Sequence, residues 1–259
     1  MERLSFPSLD GEMISLLMER PSGDTPRPCV AFLHGGAWRF GKAEDYARHM
    51  RYVAARGAVS ASVEYRLTMP GGGVRRCIED CAAAVRYLRE NAAALGLLPH
   101  RICVCGESAG GHLALCLGTP AIVADEKARP DYIVNFNGAV DLTGRLNADL
   151  FGACDPRAAS AAQWLEKYRM GAAVSPLLQA GPGNAPVTHM QGLCDEIIFP
   201  HETAQLHDRL TACGVDSRLI LLPGQKHAFI VFDDQSPNET VQKYLEMTGD
   251  ILAQRGFLQ

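Results

Sequence analysis

A serine, a histidine and a carboxylate scattered along a chain do chemistry only where a fold gathers them, and this 259-residue sequence offers one set in suitable local contexts. Gly106-Glu107-Ser108-Ala109-Gly110 fits G-x-S-x-G, a pattern in which a strained turn between strand and helix exposes a serine hydroxyl. That hydroxyl is a weak nucleophile near neutral pH, so acyl transfer needs a histidine to take its proton and a carboxylate to fix the histidine's tautomer. Of eight histidines, His227 in LLPGQKHAFIVF lies just past the last predicted strand, where a loop carries it over the sheet's carboxyl edge. His49, His201 and His207 fall in helical patterns, where a solvated face is the default. His100 sits in a turn, His34 braces its own loop, His112 lies inside the helix after Ser108, and His189 sits within a strand. For the acid, Asp195 in MQGLCDEIIFP also follows a strand's end. Glu196 is its nearest competitor, and Asp141 is a second alternative whose other job is to cap the turn Asp141-Leu142-Thr143.

His34-Gly35-Gly36-Ala37-Trp38 ends an earlier buried strand, and loops of this kind aim backbone N–H groups at the oxygen of a tetrahedral intermediate. The N–H groups of Gly36, Ala37 and Ala109 are the candidate oxyanion donors, with Gly35 a substitute. Trp38, Gly35 and Glu107 are candidates for lining the substrate pocket, and for Trp38 packing of its own loop is an equal alternative. No group of residues has metal-ligand spacing, and the chemistry calls for no cofactor.

The elements that must position these residues alternate between short apolar runs and longer stretches of helical period, the sequence form of an α/β protein with a mostly parallel sheet. Residues 1–19 differ, splitting around Asp10-Gly11 as a β-hairpin does, within an N-terminal hairpin region of 1–27. Strands are expected at 29–36, 58–67, 101–106, 131–139, 185–191 and 217–222. Helices are expected at 43–56, 74–94, from Ser108 onward, and at 157–170, 201–213 and 237–255. Segment 141–184 is of mixed character, a candidate insertion over the pocket. No repeat or Pro/Gly/Ser-rich linker divides the chain, so a single domain over 1–259 is expected.

Composition bounds the function. With 47% hydrophobic and 21% charged residues the chain reads as a globular protein, and 25 basic against 29 acidic side chains leave a net charge of −4. That weak negative field does not attract nucleic acid or anionic lipid. The N-terminus carries no apolar run of signal type and no stretch of eighteen uncharged apolar residues occurs. A cytoplasmic location and a small-molecule ester substrate are expected; oligomeric state is not readable. Nine cysteines, an odd number, do not suggest a disulfide framework. Cys77 and Cys81 should share a helix face, whereas Cys103 and Cys105 are expected on opposite faces of their strand, all as buried hydrophobes. Cys194 stands out because it precedes the candidate acid.

HGGAWRFG, VEYRL, Asp80 in CIEDCAAAVRYLREN, CGESAGGHLAL, QGLCDE and LPGQKHAF follow one another from about residue 28 to 230. In this order they resemble the α/β-hydrolases of the acetyl esterase/lipase group, close to the hormone-sensitive-lipase-like and bifunctional xylan acetyl and feruloyl esterase branches. The chain order Ser108, Asp195, His227 is the one of that fold. The resemblance implies an eight-stranded, mostly parallel sheet with helices on both faces and little or no cap. It also implies a triad of Ser108, Asp195 and His227, and oxyanion donors Gly36, Ala37 and Ala109. Tyr65 and Arg66 then brace the oxyanion loop, with an Arg66–Asp80 ion pair. The sequence departs from the group's pattern in two places. Ala37 stands where HGGG has its last glycine, which keeps a donor in place if φ is negative there. Asp195-Glu196-Ile197-Ile198-Phe199-Pro200 is one residue longer than D-x-x-V-P, leaving Asp195 and Glu196 both open. The implied activity is hydrolysis of short acyl esters, acetyl above all, on carbohydrate or other small alcohols. An arylformamidase, whose HGGxW loop is similar, and a non-catalytic ligand-binding homologue are the alternatives.

Overall fold

In the computed structural model, residues 1–68, 73–144, 171–231 and 237–259 are described. Eight strands form one sheet: β1 (Glu2–Pro7), β2 (Met13–Glu19), β3 (Arg27–Leu33), β4 (Val59–Glu64), β5 (Leu97–Glu107), β6 (Tyr132–Phe136), β7 (Val187–Gly192) and β8 (Ser217–Leu222). Their order is β1-β2-β4-β3-β5-β6-β7-β8. The hairpin expected around Asp10-Gly11 is present as the antiparallel β1–β2 pair, and β2 runs antiparallel to β4. Every pairing from β4 through β3 to β8 is parallel. The sheet is therefore the mostly parallel one of the sequence pattern, with the eight strands that the resemblance implies.

Helices lie on both faces because the central strands are apolar on both sides. Cys29, Ala31 and Leu33 of β3 pack into one cluster with Cys77, Ile78, Cys81 and Val85 of α2 (Arg75–Glu90), Leu113 of α4 (Ala109–Leu117) and Leu206 of α6 (Pro200–Ala212). Val30 and Phe32, the intervening residues, pack into a second cluster with Met50 and Val53 of α1 (Ala47–Ala55) and Tyr244 and Leu252 of α7 (Asn238–Gln254). The helix expected at 74–94 divides at Asn91 into α2 and a short α3 (Ala92–Leu95), and Gly96 in a left-handed conformation ends it.

Two sequence expectations need correction. Cys103 and Cys105 do not face opposite ways: both point into the second cluster, with their sulfurs 3.9 Å apart. A strand repeats every two residues, so positions i and i+2 share a face. His49 is not on a solvated face but is buried on the side of α1 turned to the sheet, against Phe32 and Tyr46. The helix expected at 157–170 and most of the candidate pocket-covering insertion lie outside the described residues. Its ends are described: Asp141 caps its own turn by accepting from the N–H and hydroxyl of Thr143, and the short α5 (Pro176–Gln179) bonds back to Val140. Among the described residues no separate cap stands over the sheet, and no helix is long and apolar enough to cross a membrane.

Candidate active site

Parallel strands end on one edge, so the loops after β3, β5, β6, β7 and β8 emerge side by side. They carry His34–Trp38, Ser108, Asn137, Asp195 and His227 in turn.

Ser108 sits at the turn between β5 and α4 with φ 52° and ψ −115°, a backbone state that costs an L-residue on the order of 1–3 kcal/mol. The flanking glycines allow the turn. A Cβ on Gly106 would lie 2.2 Å from the Gly110 carbonyl oxygen, and one on Gly110 would lie 1.9 Å from that of Leu33. The Ser108 N–H donates to Phe136 O at 3.0 Å, tying the turn to β6. Ala109 opens α4, so its N–H belongs to the helix's unpaired first turn, at the positive end of the dipole.

His227 stands between the serine and one carboxylate. Its Nε2 is 2.9 Å from Ser108 Oγ, and its Nδ1 is 2.8 Å from Asp195 Oδ2. Asp195 is buried; its Oδ1 accepts from the N–H groups of Ile197 and Ile198, and its Oδ2 also accepts from Gln191 Nε2 at 3.3 Å. Glu196 is exposed, so the geometry brings Asp195, and not its neighbour, to the imidazole. The extra residue before Pro200 belongs to a turn that wraps this carboxylate with backbone donors.

Burial pulls the His227 pKa down, but the hydrogen bond to Asp195 and the charges of Glu107 and Asp195 outweigh it, and the pKa is raised above the ordinary 6.5. The fully buried histidines go the other way. Desolvation lowers His49 and His112 to about 4 and His189 to about 3. An imidazole that faces buried carboxylates can take a proton; one that faces only carbonyls and apolar groups stays neutral.

The loop after β3 is built from left-handed residues: Gly36 at φ 98°, Ala37 at φ 51° and Trp38 at φ 59°. Ala37 therefore does not have the negative φ that would make it equivalent to an ordinary loop alanine. The neighbours hold it there. Gly36 O accepts from the N–H groups of Arg39 and Phe40, and Trp38 O accepts from Thr68. Tyr65 donates its hydroxyl to His34 O at 2.7 Å. Arg66 pairs with Asp80, its Nε 2.8 Å from Oδ2, and also reaches Asp10. Tyr65 thus braces the oxyanion loop as expected, and the expected Arg66–Asp80 pair is present but ties to Ser8 and Asp10 of the hairpin turn rather than to that loop. Trp38 is buried, with its indole N–H donating to His112 Nδ1 at 3.1 Å, while His112 donates from Nε2 to Val174 O at 2.8 Å. Gly36 is exposed and Ser108 and Ala37 are half-buried, leaving the rim open. Glu107 is buried beneath the loop, where a Cβ on Gly35 would fall 1.9 Å from its Oε2.

Sequence reasoning missed two residues around the imidazole and gave a third another role. Asn137, at φ 38°, places Nδ2 3.1 Å from His227 Nδ1; the Asn-Gly pair after β6 was the available signal, since asparagine tolerates left-handed backbone. Gln191 holds the acid, and the sequence carries no mark of that. Glu107 lies 3.5 Å from His227 Nε2, closer to the base than its place among the pocket candidates suggested.

Sheet, turn and gathered side chains define an α/β-hydrolase of the esterase group. A family model described as BD-FAE matches residues 17–210, and the chain belongs to that family. It is 28% identical over 241 residues to an ethyl acetate hydrolase of Pseudomonas putida, covering 88% of this chain and 74% of the relative. It is 27% identical to an AB hydrolase superfamily protein of Schizosaccharomyces pombe, over 83% of this chain and 67% of that one. A butyrate-bound thermophilic esterase of Thermogutta terrifontis superposes with a TM-score of 0.84 at 26% identity, over 99% of this chain and 95% of its own.

Proposed function

We propose that the protein is a serine carboxylesterase for short acyl esters, acetyl foremost, of small alcohols that include acetylated sugars. The observation that carries the reading is the line Ser108 Oγ, His227 Nε2, His227 Nδ1, Asp195 Oδ2, with contacts of 2.9 and 2.8 Å. The Nδ1–H donated to Asp195 leaves the Nε2 lone pair facing the serine, which is the tautomer a general base needs. As Ser108 Oγ bonds to the ester carbonyl carbon, its proton passes to Nε2. The carbonyl oxygen becomes an oxyanion at the N–H groups of Ala109, Gly36 and Ala37. Collapse breaks the carbon–alkoxy bond, and the departing oxygen takes the Nε2 proton. Water then repeats the sequence on the acyl-serine and releases the acid. The buried Asp195 steadies the imidazolium in both halves.

Short acyl groups fit a half-buried serine over which no separate cap stands among the described residues, and the similarity to an ethyl acetate hydrolase and a butyrate-bound esterase supports them. A test is a panel of acetyl, butyryl, octanoyl and feruloyl esters, acetylated xylo-oligosaccharides and formyl-kynurenine, with Ser108→Ala as control. Acetyl or butyryl esters should lead, and Ser108→Ala should lose on the order of 10⁴-fold in kcat or more with the fold intact. A panel led by formyl-kynurenine would make the protein an amidase of formyl groups. Wild-type turnover in Ser108→Ala would remove the serine mechanism altogether.

A further inference from the structure

Resting on that reading of the site, we infer that Glu107 is a second carboxylate serving His227. It acts on the Nε2 side of the ring, where the proton arrives, as Asp195 acts on the Nδ1 side. Three observations place it there. Glu107 ends β5 immediately before the nucleophile, and its Oε1 is 3.5 Å from His227 Nε2. The residue is only 4% exposed, so little water screens its charge. Its Oε2 is packed against the Cα side of Gly35, where any other residue would drive a Cβ into the carboxylate. The loop that offers the oxyanion donors thus rests on the same group that faces the base.

The charged and titratable groups acting on this pair among the described residues are these. Those acting on His227 are Asp195 and Glu107. Those acting against Glu107 include the buried phenols of Tyr46 and Tyr65, whose pKa values burial, with the Glu107 charge assisting, raises well above the usual phenol range, so they stay neutral. Proton transfer from Ser108 creates an imidazolium between two buried carboxylates. Glu107 takes no proton and forms no covalent bond to substrate; its charge stabilises the cation that exists in the transition states of both acylation and deacylation. A charge that favours the protonated ring also raises the pH below which the base is lost, so one side chain sets both rate and acid limit.

Glu107→Gln keeps the shape and removes the charge. Its acid limb in kcat/KM should move down by about half to one pH unit, with kcat lowered roughly tenfold and KM nearly unchanged. An unmoved limb and unchanged kcat would reduce Glu107 to packing, and a rise in KM alone would make it a substrate contact; either result overturns the proposal. A second measurement does without Glu107→Gln. In Asp195→Asn, where Glu107 is the remaining carboxylate, the His227 imidazole followed by NMR should titrate at least about half a pH unit higher than in Asp195→Asn/Glu107→Asn, where neither carboxylate remains. Equal midpoints in those two variants would overturn the inference even if Glu107→Gln did not fold. That titration needs no turnover, so it can fail while the esterase reading stands, and wild-type turnover in Ser108→Ala would sink that reading without deciding the titration.

Discussion

The two edges of the sheet are built differently. At the carboxyl edge of the parallel strands stand all five non-glycine residues with positive φ among the described residues: Ala37, Trp38, Ser108, Asn137 and Ala228. They occupy the loops after β3, β5, β6 and β8. At the opposite edge the left-handed positions leading into β4, β5, β7 and β8 are Gly57, Gly96, Gly183 and Gly214. Glycine adopts such backbone without steric cost, whereas each L-residue there costs roughly 1–2 kcal/mol. One edge closes its turns cheaply. The other keeps strained residues because their side chains or N–H groups must stand where no relaxed loop would put them.

The sharpest way to break this contrast is at the acid loop. Asp195→Asn should lower kcat/KM by about 10⁴-fold through loss of the base's tautomer, while Glu196→Gln, on the exposed side of the same turn, should stay within about threefold. Equal losses, measured with one acetyl ester, would move the acid and with it the meaning of the extra residue before Pro200. Next comes Gly35→Ala. Its new Cβ would meet Glu107 Oε2 at 1.9 Å, displacing the oxyanion loop and the buried carboxylate together, and turnover should fall on the order of 10²-fold. Wild-type kinetics there would show that the loop tolerates what the geometry forbids.

The smallest effects test the comparison itself. Gly96→Ala, at φ 68° with open space around it, should cost about 1 kcal/mol in unfolding free energy and leave kcat untouched. Ala37→Gly, at φ 51°, should gain about 1 kcal/mol by relieving the same strain but lose a few fold in turnover, roughly threefold, as the donor loop loosens. If both variants changed stability alone, strain at the carboxyl edge would have no connection with catalysis. The pH profile follows with its sign. His227 must be neutral to act as base, and its pKa is raised above 6.5, so kcat/KM should fall as pH drops through a midpoint above that value. A midpoint below it would mean that burial outweighs the two carboxylates.

How much of this was legible depended on whether a signal was local. G-x-S-x-G with a strand before and a helix after, the HGGAW loop and a histidine past the last strand are each visible within about ten residues, because turn chemistry and periodicity are properties of neighbours in the chain. The sign of φ at Ala37 is only a condition in the sequence, since it is set by bonds from Arg39, Phe40 and Thr68 and by the Trp38–His112 contact, two of which join distant segments. His49 was misread since a helix face says nothing about what packs on it; its Nε2 meets Ile230 O, 181 residues away. Gln191 carries no local mark of the imidazole, Asn137 only the Asn-Gly turn signal, and Glu107 only its place beside Ser108, none of which names His227 as the partner.

The sequence by itself determined the alternation of strand and helix, the tight turn at Ser108 and the order of serine, acid and histidine, all consequences of spacing and backbone freedom. Only the tertiary structure decided that Asp195 rather than Glu196 meets His227, that the imidazole lies between two buried carboxylates, and that strain collects along one edge. Those facts arise where parallel strands end side by side, and through-space distance and desolvation, which fix charge, depend on partners the chain order does not reveal.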